Sequence, residues 1–130
     1  MYKFILFLLI SCTAFAAGNN LNKVEYLGEL KYLKIDKILS ANKSLLKVQV
    51  ELSNTSIDNQ QLYYRFKWYD SDGFSVWNDE PWKTLLIYGK QRSTLSAVAP
   101  TKKATDYKIE LQSPENRNND QSNASPLTGN

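Results

Sequence analysis

Leu46, Val48, Val50 and Leu52 alternate with Lys47, Gln49 and Glu51, a period of two with one wet face that predicts a half-buried β-strand. Residues 62–70, LYYRFKWYD, repeat that period with bulkier groups, placing Tyr64, Phe66 and Trp68 on one face and Tyr63, Arg65, Lys67 and Tyr69 on the other. Aromatic side chains pack well on a pleated surface, so this is the strongest strand in the chain. Asp70-Ser71-Asp72-Gly73 closes it, because Asp and Ser suit early turn positions and Gly the left-handed end of a tight turn. Phe74 to Trp77 is then expected to return as the second arm of a hairpin over residues 62–77. A second turn, Asn78-Asp79-Glu80-Pro81, precedes strands at 82–88 and 92–99 joined by Gly89-Lys90-Gln91, and a last alternating strand runs from Tyr107 to Leu111. Pro81 has no N–H for a ladder, so pairing is expected to break there.

Upstream the pattern is weaker. Residues 18–29 read as a polar tether passing into a short strand at Val24 to Gly28, and Tyr32 to Ile38 has apolar residues at irregular spacing, compatible with strand or a helical turn. Residues 53–60 and 100–105 are polar connections. Six to seven strands with regularly spaced turn signals predict one antiparallel immunoglobulin-like β-sandwich over residues 30–112. Its core is expected to hold Val48, Val50, Leu52, Phe66, Trp68, Leu95, Ile109 and Leu111. Residues 113–130 contain one large aliphatic side chain, Leu127, and are expected to be a disordered polar tail.

Residues 1–17 carry Lys3 and then an apolar run from Phe4 to Ile10. That is a secretory signal, too short for an ordinary spanning helix, which needs about 20 apolar residues. Two processing sites compete. Leu9-Ile10-Ser11-Cys12 resembles a bacterial lipobox, in which the cysteine thiol takes a diacylglycerol before the chain is cleaved on its N-terminal side; Ala14-Phe15-Ala16 offers small residues for cleavage near Ala17. Cys12 is the only cysteine and has no disulfide partner within the chain, which favours lipidation. The apolar residues Ala14 to Ala17 that follow it favour plain secretion.

Composition narrows the chemistry. Sixteen basic against 13 acidic residues leave +3, spread without a basic run, so nucleic acid is not an expected partner. With no histidine and one cysteine, His-based acid–base catalysis, Ser-His and Cys-His dyads and ordinary zinc or iron sites are excluded. No cofactor, metal or catalytic residue is expected. Asp70 and Asp72 look like the opening of a calcium loop, but Pro81 falls where the bidentate Glu of an EF-hand belongs, so turn chemistry is the better reading. A hydrolase built on Asp70, Asp72, Asp79 and Glu80 is a remote alternative, since glycosidases need two carboxyls about 5–9 Å apart across a cleft.

The run Tyr64-Arg65-Phe66-Lys67-Trp68-Tyr69-Asp70-Ser71-Asp72-Gly73, with Ala99-Pro100 and Tyr107-Lys108-Ile109-Glu110-Leu111 downstream, resembles the YcfL family of bacterial envelope lipoproteins of uncharacterised function. The resemblance spans residues 30–112 and implies an immunoglobulin-like sandwich, a periplasmic location at the outer membrane and a lipid-bearing Cys12. A soluble periplasmic protein is the alternative. The tail is longer than the family pattern implies.

Trp77 and Trp82 bracket a turn, and Tyr63, Tyr69 and Tyr88 are expected to face outward if Phe66 and Trp68 face in. Such aromatics stack on sugar rings or anchor protein partners; the plainer reading is that they finish the ends and edges of a small core. The expected function is therefore a non-catalytic envelope module that binds another envelope protein through a sheet face or edge. The alternative is a glycan- or peptidoglycan-binding module that uses these aromatics.

Overall fold

The structure, a computed structural model, describes residues 20–114. Cys12, both processing sites and the polar tail from residue 115 lie outside the described residues. A 3-10 turn at Leu21–Lys23 leads into β1 (Val24–Tyr26), followed by β2 (Leu33–Asn42), β3 (Leu46–Asn54), β4 (Gln60–Tyr69), β5 (Lys83–Ile87), β6 (Arg92–Val98) and β7 (Asp106–Gln112). Two sheets result, ordered β1-β7-β4-β5 and β2-β3-β6. The architecture is an all-β sandwich. Every ladder is antiparallel except that of β1, which runs parallel to β7 with Val24 opposite Ile109 and Tyr26 opposite Leu111. Strands β2 to β7 follow the two-sheet order of an immunoglobulin-type sandwich, and β1 fills the edge beside β7 that a further C-terminal strand would take.

Period-two alternation builds the core. Leu46, Val48, Val50 and Leu52 of β3 face Leu62, Phe66 and Trp68 of β4, and Leu95, Ile109 and Leu111 complete the interior. All eight core residues expected from the alternation are buried. Phe66 and Trp68 stack at 5.7 Å between ring centroids with planes 13° apart, while Tyr64 meets Phe66 edge-on at 6.3 Å, both favoured aromatic geometries.

The irregular segment before residue 39 is strand, and a bulge explains its spacing. The register shifts between Ile35 and Lys37, so Asp36 is an extra residue that resets the alternation. Leu33 and Ile35 therefore pack inward at a spacing of two, and Ile38 at a spacing of three.

The expected return strand at Phe74 to Trp77 is not one. Only an isolated bridge joins Ser75 to Tyr69, with Val76 N–H donating to the Trp68 carbonyl at 3.1 Å. The turn chemistry itself is as read: Asp70 Oδ1 accepts from the N–H groups of Asp72 and Phe74, and Gly73 has φ +87°. Beyond that bridge the chain turns onto the wet face of β4, where Asp79 meets Arg65 and Lys67 and the Trp82 ring meets Arg65. Gln60 to Tyr64 pair with β5, and Tyr63 to Tyr69 pair with β7. Residues 70–82 leave the ladder as a long loop before β5 begins.

Strand directions sort the connections between two ends. The chain enters at Asn20 beside the start of β7, at the end that also carries residues 43–45, the 70–82 loop and residues 99–105. The far end carries residues 55–59 and 88–91, tied together by Asn54.

Candidate functional site

The wet face of β4 is organised by one carboxylate. Arg65 lies directly opposite Glu110 of β7, and Arg65 Nε donates to Glu110 Oε2 at 2.5 Å while Lys67 Nζ donates to Oε1 at 2.8 Å. The Glu110 side chain is only 6% exposed. The 70–82 loop folds back over this pair: Asp79 comes within 3.9 Å of both cations, and the Trp82 ring lies against the Arg65 guanidinium, 4.5 Å from Cζ to its centroid. Glu80 accepts from Trp68 Nε1 at 3.3 Å, which gives a core indole its polar partner. Two further pairs fasten the chain entry to β7, Lys23 with Asp106 at 2.7 Å and Lys108 with Glu25 at 2.6 Å.

Burial pushes the Glu110 carboxyl upward, but hydrogen bonds from Lys67 and Arg65 outweigh it and hold the group below the usual carboxylate range. The same hydrogen bond to Glu110 raises Lys67 above an ordinary lysine. A carboxylate held ionised between two cations is neither a proton donor near neutrality nor a free nucleophile. Asp79 and Glu80, the adjacent acids of the sequence, are spent on Arg65, Lys67 and Trp68. Among the described residues no three of His, Cys, Asp or Glu are grouped to hold a metal. The cluster locks the loop onto the sheet.

The five aromatics singled out from the sequence do not form one surface. Tyr63 and Tyr69 are half-buried on the wet face of β4, six residues and hence about 20 Å apart. Trp82 has one face occupied by Arg65. Trp77 is 49% exposed and lines an open groove with Asp70, Ser75, Asn78 and Lys103 at the entry end. Tyr88 is exposed at the far end, since Ile87 before it pairs with Gln60 at the start of β4, whereas Ser75 bridges Tyr69 at the finish.

The two sheets have four edges, β1, β5, β2 and β6. β1 has three residues and β5 has five, while β2 is bulged and carries Lys34, Asp36 and Lys37. Short length, bulges and charges protect edges against further pairing. β6 is unbulged and carries one charge, Arg92 at its first position; from Ser93 to Val98 it reads Ser-Thr-Leu-Ser-Ala-Val in unbroken register with β3. Ala99 N–H donates to Leu46 and Asn54 N–H donates to Gln91, which fixes the phase of this antiparallel ladder. Residues 93, 95 and 97 bond to β3, and Arg92, Thr94, Ser96 and Val98 turn their N–H and C=O groups to the open side. No described strand lies beyond them.

Neither the Glu110 cluster nor the β6 edge was singled out from the sequence. Their traces are visible in it, as a lone acid on the wet face of 107–111 and an uncharged run at 93–98, but cross-strand register and sheet order are needed to read them.

Comparison with known proteins places the chain. Residues 29–113, well over half of its length, match the family described as "Protein of unknown function (DUF1425)". The chain belongs to the DUF1425 family. Its sandwich is similar to the crystal structure of Campylobacter jejuni Cj0090, at 23% identity and a TM-score of 0.62 over 71% of this chain and 98% of that one. It is also similar to a DUF1425 family member from Shewanella sp. PV-4, at 22% identity and a TM-score of 0.55 over 65% of this chain and 83% of that one. At these identities the likeness is one of fold. No curated protein matches the chain.

Proposed function

We propose that this DUF1425 protein is a non-catalytic module of the bacterial cell envelope, of the YcfL lipoprotein type, that binds another envelope protein by accepting one of its extended segments along β6. The observation that carries the reading is the contrast between faces and edges. The wet face of β4 and β7 is closed by its own charges and by the 70–82 loop. The β6 edge instead presents alternate backbone donors and acceptors from Arg92 to Val98 with no charge between Ser93 and Val98. Main-chain pairing supplies affinity in strand addition, and side chains on the outer face, here Thr94, Ser96 and Val98, supply selectivity. Export rests on the apolar run from Phe4 to Ile10, and anchoring on lipid attached to Cys12.

The test is a photoreactive residue placed at Thr94 in cells, with one at Leu86 on the β5 edge as control. A discrete protein adduct at Thr94 that is absent at Leu86 and lost in a Ser96→Pro background supports the reading. Proline at Ser96 removes an N–H aimed away from β3, so the sandwich should keep its melting temperature. An adduct indifferent to that proline, or none, overturns strand addition. Retention on peptidoglycan that disappears in a folded Trp77→Ala variant would move the assignment to glycan binding.

A further inference from the structure

The entry end of the sandwich gathers exposed apolar and basic side chains from four separate segments. Phe74 is 71% exposed and Trp77 49%, both on the 70–82 loop, and Leu21 in the entering 3-10 turn is also exposed. At the same end lie exposed Lys43 between β2 and β3, and exposed Lys102 and Lys103 between β6 and β7. Backbone bonds hold these loops as one surface: Thr105 N–H donates to the Tyr69 carbonyl, Ala99 N–H to that of Leu46, and Lys103 lines the groove beside Trp77. Of the two acids at the tip of the loop, Asp70 spends Oδ1 on the N–H groups of Asp72 and Phe74, and Asp72 is exposed.

A lone exposed aromatic is ordinary. Two on one loop, with Lys103 beside Trp77 and Lys43 and Lys102 at the same end, where the chain enters, are the composition of a membrane-contacting edge. Trp and Phe settle at the level of lipid headgroups, and lysines are drawn to anionic ones. The apolar run from Phe4 to Ile10 and Cys12 precede Asn20, with residues 13–19 between Cys12 and Asn20. An anchor on that segment brings this end, and not the far end, to the bilayer, because the ion pairs Lys23–Asp106 and Lys108–Glu25 fix the entering strand to β7.

We propose that the entry end docks on an anionic phospholipid surface, with Phe74 and Trp77 in the headgroup layer and Lys43, Lys102 and Lys103 against the phosphates. The proposal rests on the anchored reading above and adds an orientation: the β6 edge stands upright from the membrane, open to a partner.

The test uses the protein extracted from cell envelopes and reconstituted into vesicles of phosphatidylethanolamine and phosphatidylglycerol, with and without acyl chains brominated near the headgroup. Flotation reports anchoring, and bromolipid quenching of tryptophan reports docking. Trp68 is buried and Trp82 is stacked on Arg65, so quenching should fall by about twofold or more in Trp77→Phe, given an interfacial burial depth of about 5–10 Å. It should also weaken in Lys102→Glu/Lys103→Glu and in phosphatidylcholine vesicles, with flotation unchanged. Full flotation with equal quenching in the wild type and Trp77→Phe overturns the docking proposal alone, including the case in which a protein covers this end. Failure to float overturns the anchored reading and the docking proposal with it.

Discussion

Arg65 lies with its guanidinium over the ring of Trp82, 4.5 Å from Cζ to the ring centroid, while its Nε donates to Glu110. The residue that ties β4 to β7 thus also holds the last turn of the 70–82 loop. Cation–π contacts of this kind contribute about 0.5–2 kcal/mol, more when water is excluded. Trp82→Ala should therefore lower stability by about 1–2 kcal/mol, whereas Trp82→Phe should retain part of the contact. A double-mutant cycle with Arg65→Met, read by urea unfolding, is expected to give a coupling of about 0.5–1 kcal/mol. Additive effects would show that the ring merely rests there.

Removing the carboxylate should cost more than removing the ring. Glu110→Ala leaves Arg65 and Lys67 facing each other on a face where Glu110 itself is nearly covered. Breaking a buried pair from one side costs about 3–5 kcal/mol; Arg65 and Lys67 are partly exposed, which reduces this to about 2–3 kcal/mol. Chemical denaturation of the folded variant measures the loss.

The same residue predicts how stability responds to acid. The folded-state value of Glu110 lies below its unfolded one, because the hydrogen bonds from Lys67 and Arg65 outweigh the opposing effect of burial. The unfolded chain therefore takes up the proton first, and stability is fully present above the unfolded value of about 4.3 and lost as pH falls through the lowered folded value. Asp106, also lowered because its bonds from Lys23 and the Tyr107 N–H overcome burial, acts in the same direction. Urea midpoints measured from neutral pH down into that window should fall more steeply for the wild type than for Glu110→Gln. Parallel curves would show that the cluster does not govern the acid limb.

How much of this was legible in the sequence depends on the range of the interaction. Val48 and Phe66 announce their burial through their own neighbours, because alternation is local. Ile35 and Ile38 also announce burial, but the bulge at Asp36 breaks their phase, and a bulge is decided by the opposing strand. Asp70 made the turn expected of it, yet Phe74 to Trp77 did not become a strand: after the Ser75 bridge the chain turns to place Asp79 and Trp82 against Arg65, a contact no local pattern names. Arg65 and Glu110 are 45 residues apart, and only the register of β4 on β7 joins them. Trp82, expected to finish the core or to serve as a binding platform, has the Arg65 guanidinium over its ring. Its role as the cover of a cation depends on a partner that no local pattern names.

Tyr107 offers a substitution expected to stabilise. Its ring is buried and its hydroxyl has no hydrogen-bond partner among the described residues. A buried polar group without a partner costs about 1–3 kcal/mol. Tyr107→Phe keeps the ring and deletes the orphaned oxygen, so the unfolding midpoint should rise by the equivalent of about 1 kcal/mol. A fall would mean that the hydroxyl is bonded in solution.

The far end is held by backbone contact, by the amides of Asn54 and Asn59, the latter accepting from Gly89 N–H at 3.1 Å, and by Lys90 Nζ on the Thr55 carbonyl, and this predicts sharp intolerance at Asn54 and Gly89. Asn54, at the last position of β3, is buried; its Nδ2 reaches the carbonyls of Asp58, Ile87 and Tyr88 at 2.7, 3.1 and 3.2 Å, and its Oδ1 accepts from Ser56 N–H at 2.9 Å. One side chain thus satisfies the backbone of both far-end loops. Gly89 completes the junction, because a Cβ there would stand 1.9 Å from the Ile57 carbonyl oxygen, a backbone atom that moves only if its loop moves. Asn54→Ala should cost about 2–3 kcal/mol through the carbonyls it strands, and Gly89→Ala about 1–3 kcal/mol through forced separation of the loops. In both variants the amides of Ser56 and Lys90 should exchange faster with solvent, since the Lys90 N–H donates to the Ser56 carbonyl across the same junction. Ile57→Ala is the control: that side chain is 80% exposed, so its loss should leave stability and exchange unchanged. If Gly89→Ala were as mild as Ile57→Ala, the two loops would not be in contact in solution, and the closed far end would have to be redrawn.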